Sequence, residues 1–224
     1  MRIEMVLFYD FEMTGLHKNT TPISIGIVSE DGKKFYAEFI DFDRNQVNEW
    51  IQKNVLDNFI LDKAQSPTAV KRFIENGYEV QNLPVVGYTI GLFYQSRRIK
   101  DGFTEATGTK DWISKTLNKW LSQFDSIQFV SDVCHYDFVL LIDLLTNGGT
   151  ALDLSNNISA VCHDLNQDIA RHFGITDAEA FDMSREQIMN DLCGPEDVAT
   201  GDKHNSLYDA EVIRAIYEEI GYDI

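Results

Sequence analysis

Cations are scarce in this chain. Of its 224 residues, 19 are Lys or Arg against 36 Asp or Glu, a net charge of −17. Proteins that grip nucleic acid along a broad surface draw most of their affinity from Lys and Arg on phosphate, so this balance excludes a tight, non-specific duplex binder. It leaves room for an enzyme that takes a short single-stranded end, where bound metal ions supply the positive charge that side chains do not. Cysteine is sparse as well. Cys134, Cys162 and Cys193 are odd in number and show no paired metal-binding spacing, which predicts free thiols in a reducing compartment. No run approaches the roughly 18–20 apolar residues of a membrane helix, and the opening MRIEMVLFYDFEM turns acidic too early for a signal peptide. Repeats, low-complexity tracts and linker composition are missing too. The expectation is a soluble, cytoplasmic, non-secreted protein without a membrane partner, folded as one α/β domain over 1–224.

What the chain does have is periodicity. Residues 3–9, IEMVLFY, form an apolar β-type run ending at Asp10, Phe11 and Glu12, with Thr14-Gly15 as a breaker. ISIGIVSE (23–30) and KKFYAEFI (33–40) flank Asp31-Gly32, a strong hairpin signal. The chain thus opens with a three-stranded antiparallel meander. Helical patterns follow, one with Trp50, Val55 and Leu56, another with Val70, Phe73 and Ile74. LPVVGYT (83–89) reads as a strand, and 91–110, rich in Gly, Thr and charge, as a surface loop. Ile113, Leu117, Trp120, Leu121 and Phe124 sit at helical spacing in 111–124. A short buried strand at 126–133 precedes a helix at 136–145. The segment 146–200 shows only a helix near 164–173, and the chain closes with a helix through NSLYDAEVIRAIYEEI.

Asp10 and Glu12 lie two apart at the end of the first predicted strand, so both project from one face. Neighbouring carboxylates raise each other's pKa unless a cation or donor intervenes. The nearest lysine in sequence, Lys18, stands six residues past Glu12. A divalent cation, which prefers oxygen ligands, is the natural compensation. Taken alone, the pair reads more simply as two solvated acids at a strand end.

Asp137 heads a stripe with Leu140, Leu141 and Leu144, and Asp209 heads one with Ile213, Ile216 and Ile220. Both acids therefore open an inward-facing helix face. Simpler roles exist for each: Asp137 suits a helix dipole, and Ser206-x-x-Asp209 resembles a capping box. His204 lies five residues before Asp209, where a lone loop histidine is ordinarily a surface residue. Together, four acids converging on one point require cations, and they fit two-metal phosphoryl transfer.

These residues carry a resemblance. FYDFEMTGL (8–16), HYDFVLL (135–141) and HNSLYDA (204–210) match, in order, the three motifs of the DEDDh branch of 3′-to-5′ exonucleases. The first is Asp-x-Glu at Asp10 and Glu12, the second the helix-opening Asp137, the third His-x-x-x-x-Asp at His204 and Asp209. DFEMTGL is similar to oligoribonuclease, a processor of very short RNA. ISIGIVSEDGKKFYAEF with VNEWIQKNVL, and Tyr136-Asp137, are more similar to the RNase AS group of 3′ exoribonucleases. The resemblance covers roughly residues 5–60, 126–145 and 204–217; nothing carries over to 91–110 or 146–200.

The resemblance implies a ribonuclease H-like mixed sheet flanked by helices, and 3′-to-5′ hydrolysis of single-stranded RNA to nucleoside 5′-monophosphates. It implies two Mg²⁺ or Mn²⁺ ions held by Asp10, Glu12, Asp137 and Asp209, with His204 as general base. One ion, bridged by Asp10 and Asp209 with Glu12, would activate a water, and Asp137 would act through a water of its own. Met13 and Leu16 would meet the 3′-terminal nucleotide, although core packing accounts for them equally well. A homodimer is implied by resemblance alone. His17, His163 and His172 carry no expected chemistry. The alternatives are a DNA or oligoribonucleotide exonuclease on the same scaffold, since RNA is told from DNA by 2′-hydroxyl contacts, or a non-catalytic nucleic-acid-binding domain. That last reading requires a lost acid or histidine, and all five residues are present.

Overall fold

The computed structural model describes residues 4–61, 67–82 and 94–220. The opening meander forms as expected: β1 (Met5–Met13), β2 (Pro22–Ser29) and β3 (Lys34–Phe39) pair antiparallel. Gly32 takes φ +84° in the turn, a conformation that costs glycine little, and the Ser29 hydroxyl donates to the Asp31 carboxylate. The helical pattern around Trp50 is the short α1 (Glu49–Asn54) followed by a 3₁₀ turn at 56–58, and the next is α2 (Pro67–Glu75). The strand expected at 83–89 lies outside the described residues.

The stretch 91–110 differs from expectation. Apart from 91–93, which are not described, most of it is strand: β5 (Tyr94–Lys100) and β6 (Phe103–Gly108), joined through β5 to β4 (Glu79–Asn82). β6 runs parallel to β3 and is flanked on both sides. Its polar composition hides this, because Thr104, Glu105 and Thr107 are buried. Glu105 is satisfied there by Arg98 and by the Tyr78 hydroxyl.

α3 (Lys110–Leu121), β7 (Ile127–Ser131) and α4 (Cys134–Thr146) follow the sequence reading closely. In the segment 146–200 the helix expected near 164–173 is α5 (Leu165–Phe173), and β8 (Ile158–Asp164), α6 (Asp177–Asp182) and α7 (Arg185–Leu192) add order that the sequence does not reveal. α8 (Ser206–Ile220) closes the described chain. Among the described residues eight strands form one mixed sheet in the order β4-β5-β6-β3-β2-β1-β7-β8, with β7 parallel to β1 and β8 parallel to β7.

Alternation along β1 decides what each face receives. Leu7, Tyr9, Phe11 and Met13 join one core with α3 and α4, through Ile113, Leu117, Leu140, Leu141 and Leu144. Phe8 joins a second core on the other face with Val212, Ile213 and Ile216 of α8 and Ile169 of α5. Asp10 and Glu12 continue the row of Phe8, so the strand delivers them towards α8 and not into the α3–α4 core. α8 lies unusually close to the sheet at Gly26. A methyl placed there would stand 2.3 Å from the backbone of Ser206 and Leu207.

Candidate active site

The C-terminal end of β1 opens into a cavity of about 490 Å³ whose lining includes Asp10, Glu12, Asp137, His204 and Asp209. All five residues expected to carry chemistry therefore meet in one place. They arrive from four elements: β1, the N-terminus of α4, the turn before α8, and the first turn of α8. In open α/β sheets the carboxyl ends of parallel strands form such crevices, and here both β1 and the parallel β7 end at the cavity.

Their ligand atoms fall into two groups. Those of Glu12, His204 and Asp209 lie within 4.8 Å of one another, and so do those of Asp10, Asp132 and Asp137. Asp10 is grouped with Asp137, and Asp209 with Glu12, where the resemblance implies an ion shared by Asp10 and Asp209 with Glu12.

Asp137 is buried, and its Oδ2 accepts a 2.6 Å hydrogen bond from the Ser131 hydroxyl at the end of β7. Its Oδ1 is buried without any hydrogen-bond partner. A carboxylate oxygen left in that state is costly unless a cation or a proton meets it. Burial pushes the Asp137 carboxyl well above the ordinary range, Ser131 opposes the shift, and the charge of Asp132 adds to it. Burial likewise raises Asp10, helped by Asp137, Asp209 and Glu12. Asp209 is pushed up to about 8, again chiefly by desolvation and then by Glu12 and Asp132. Three of the four expected acids thus bind protons more tightly than free carboxyls do, because burial and mutual repulsion both disfavour their charged forms.

The helix cap does not explain Asp209. Asn205, not Ser206, caps α8: its side-chain oxygen accepts from the backbone N–H groups of Leu207 (3.2 Å) and Tyr208 (3.3 Å). Ser206 is turned to the sheet, where its hydroxyl meets that of Ser24 at 2.9 Å. Asp209 is therefore left to the cavity. The Asn205 amide also ties the turn to Asn58 and the Tyr36 hydroxyl.

His204 has φ +63°, the left-handed region that ordinary residues avoid. Its Nδ1 stands 3.7 Å from Glu12 Oε1. Its ring meets the edge of Trp50 with centroids 5.0 Å apart. This is not the free surface histidine that an isolated loop position suggests.

Leu16 and Trp50 line the mouth with much of their apolar surface open, 60% and 54% exposed. The Tyr136 hydroxyl donates to the Leu16 carbonyl at 2.9 Å and fixes that turn. Met13 touches the cavity but packs mainly in the α3–α4 core, at 9% exposure.

Two polar residues escape the sequence reading. Asp132 stands with Asp10 and Asp137 but is held by Arg185, whose Nε lies 2.7 Å from Asp132 Oδ2. The remaining Arg185 nitrogens donate to the carbonyls of Ala180 and Met183 and to the Asn166 side chain. Asp132 follows the last residue of β7 directly, so the strand-end logic that singles out Asp10 would have found it. Arg185 had no such signal, because its segment is the least legible in the chain. Among the histidines without an expected role, His163 pairs with the buried Asp168.

No family model matches the chain. Two curated 3′-5′ exoribonucleases of Mycobacterium tuberculosis, from strains CDC 1551 / Oshkosh and ATCC 25618 / H37Rv, are each 38% identical to it over 52 residues. The match spans 23% of this chain and 31% of those proteins. Among solved structures, a 3′-exonuclease described for 3′-end specific recognition of histone mRNA stem-loop superposes with a TM-score of 0.53 at 10% identity, over 97% of this chain and 63% of that one. A full-length 3′-exonuclease gives 0.54 at 8% identity, over 100% and 84%. The chain has the α/β fold of the 3′-exonucleases, of the ribonuclease H-like kind, and over 52 residues it is similar in sequence to 3′-5′ exoribonucleases.

Proposed function

We propose that this chain is a metal-dependent 3′-to-5′ exoribonuclease acting on single-stranded RNA and releasing nucleoside 5′-monophosphates. The observation that carries the proposal is the convergence of Asp10, Glu12, Asp137 and Asp209 with His204 in one cavity, in two ligand groups, with Asp137 Oδ1 buried and unpartnered. An all-oxygen donor set of this kind fits Mg²⁺ or Mn²⁺. Asp10 and Asp137 would hold one ion, and Glu12 and Asp209 the other. When bound, the ions supply Lewis acidity and neutralise the phosphate charge.

The chain's own residues do the rest. His204, braced between Glu12 and Trp50, accepts the proton of the attacking water. Asn205 fixes the helix end from which Asp209 projects, and Ser131 fixes the rotamer of Asp137. Leu16 and Trp50 offer apolar faces for the terminal bases, a sequence-tolerant way to hold a single strand. Met13, mostly buried, has a smaller share in this contact. RNA is preferred to DNA in the proposal because the relatives similar in sequence are exoribonucleases. Cytoplasmic residence and assembly as a homodimer belong to the same reading.

The test is a 5′-labelled single-stranded RNA and its DNA counterpart, incubated with Mg²⁺, Mn²⁺ or EDTA beside an Asp10→Ala control. A metal-dependent ladder shortening from the 3′ end and absent in the variant is expected, stronger on RNA. Intact substrates with folded, metal-loaded protein would refute the activity, and faster DNA cleavage would refute the substrate class.

A further inference from the structure

Behind the carboxylate cluster lies a pair of thiols that the proposed reaction does not use. Cys134 opens α4, three residues before Asp137, and Cys162 lies in β8, whose pairing with β7 places it opposite Phe129. Their sulfur atoms are 2.8 Å apart, one thiol donating to the other. The Cys134 thiol also reaches the His163 carbonyl at 3.1 Å and the Ser131 carbonyl at 3.4 Å, and the Tyr9 hydroxyl approaches the Cys162 sulfur at 3.4 Å. Both residues are half-buried. Cys193 lies apart, against the Ala215 carbonyl.

We propose that Cys134 and Cys162 are a redox modification site that closes reversibly to a disulfide. Reaching a bond length of about 2.05 Å takes less than an ångström of approach, from side chains already facing each other across the β7–α4 and β8 backbones. The hydrogen bond between the two thiols favours a thiolate on the sulfur that accepts it, Cys162 when Cys134 donates, with burial opposing it. The oxidant is a low-molecular-weight disulfide such as glutathione disulfide. The Cys162 thiolate attacks one glutathione sulfur, breaking that S–S bond and expelling one glutathione thiolate. The Cys134 thiolate then attacks the mixed disulfide and expels the second. Two protein thiols are oxidised, one glutathione disulfide is reduced to two glutathiones, and the protein's two protons pass to them. Cytosolic disulfides of this kind are characteristically transient and redox-sensing. The position matters because Ser131, touched by Cys134 through its carbonyl, holds Asp137 through its hydroxyl.

The experiment is thiol titration and intact-mass measurement of the folded protein, equilibrated across glutathione/glutathione disulfide ratios. It needs no RNA, so its outcome is independent of the exonuclease reading. The expected result is a fall from three titratable thiols to one, with the mass loss of an internal disulfide and full recovery in dithiothreitol. Cys193→Ser should fall from two thiols to none. Cys134→Ser and Cys162→Ser should form no internal disulfide and carry at most a glutathione adduct. Three thiols retained by the wild-type protein at every ratio, or an internal disulfide that survives in Cys134→Ser, would overturn the proposal.

Discussion

Burial, before any neighbouring charge, raises Asp10, Asp137 and Asp209 above the ordinary carboxyl range. Each therefore binds protons more tightly folded than unfolded. Such a group stabilises the fold most below its unfolded pKa and loses that contribution as pH rises through the folded value. For Asp209 the window runs from 3.8 to about 8. In EDTA the melting temperature should fall across this range, and Asp209→Asn should flatten the decline in a calorimetric pH series. Mn²⁺ should raise the melting temperature more at the alkaline end, where it no longer competes with protons. An EDTA melting curve indifferent to pH in both proteins would contradict this. Asp137→Asn should reduce metal-dependent cleavage by more than about 100-fold while leaving the metal-free protein at least as stable. His204 stores backbone strain, since a left-handed residue other than glycine costs roughly 1–2 kcal/mol. His204→Gly should raise stability by up to about that amount and cut the chemical step by about 10²–10⁴-fold, measured by chemical denaturation and single-turnover cleavage. A stable variant with full activity would remove His204 from the proposed role.

At the level of elements, the site depends on where α8 sits, and α8 sits where Gly26 allows. Gly26→Ala would force a methyl into the Ser206–Leu207 backbone. Overpacking against backbone costs about 1–3 kcal/mol or more. The shift should displace Asp209 and His204 together, so cleavage should fall further than the loss of folded protein accounts for. A circular-dichroism melt paired with an activity assay separates the two. Arg185 does similar work for the β7–α4 turn. Arg185→Ala would leave Asp132 unpaired beside Asp10 and Asp137, at a cost of about 3–5 kcal/mol. Asp132→Asn in that background should recover part of it, as read by urea unfolding of both variants.

The sequence was informative wherever one face of an element is apolar and the other is not. β1 to β3, α3, α4 and α8 have that contrast, so their periods stand out, and with them Asp10, Glu12, Asp137 and Asp209 at a strand end or a helix head; His204, in a turn, is singled out only by the His-x-x-x-x-Asp motif. β6 has lost it: a strand that buries Thr104, Glu105 and Thr107 reads as a loop, because its buried row is polar, with Glu105 satisfied by Arg98 and the Tyr78 hydroxyl. β8 is an edge strand with Val161 exposed, and α6 spans only six residues, too short for a period to show. Asn205 was obscured by its neighbour Ser206, an equally good cap on composition alone. Which of two adjacent polar residues caps a helix depends on what the other one faces, and Ser206 faces Ser24 across the sheet.

For the molecule as a whole, the −17 charge and the acid-lined cavity bear on one another. Divalent ions are the natural bridge between so acidic a protein and a polyanion. The acidic centre is also divided: Asp10 and Glu12 come from β1, His204 from the turn before α8 and Asp209 from the first turn of α8. Between α7 and α8, residues 194–203 are largely exposed. Cutting there would part the two halves of the centre without touching either core strand. The five residues come together only when β1 and α8 have docked. Under the proposed exoribonuclease activity, a partly synthesised copy, still threaded through the ribosome, would lack His204 and Asp209 and would spare its own message until α8 emerged and found Gly26.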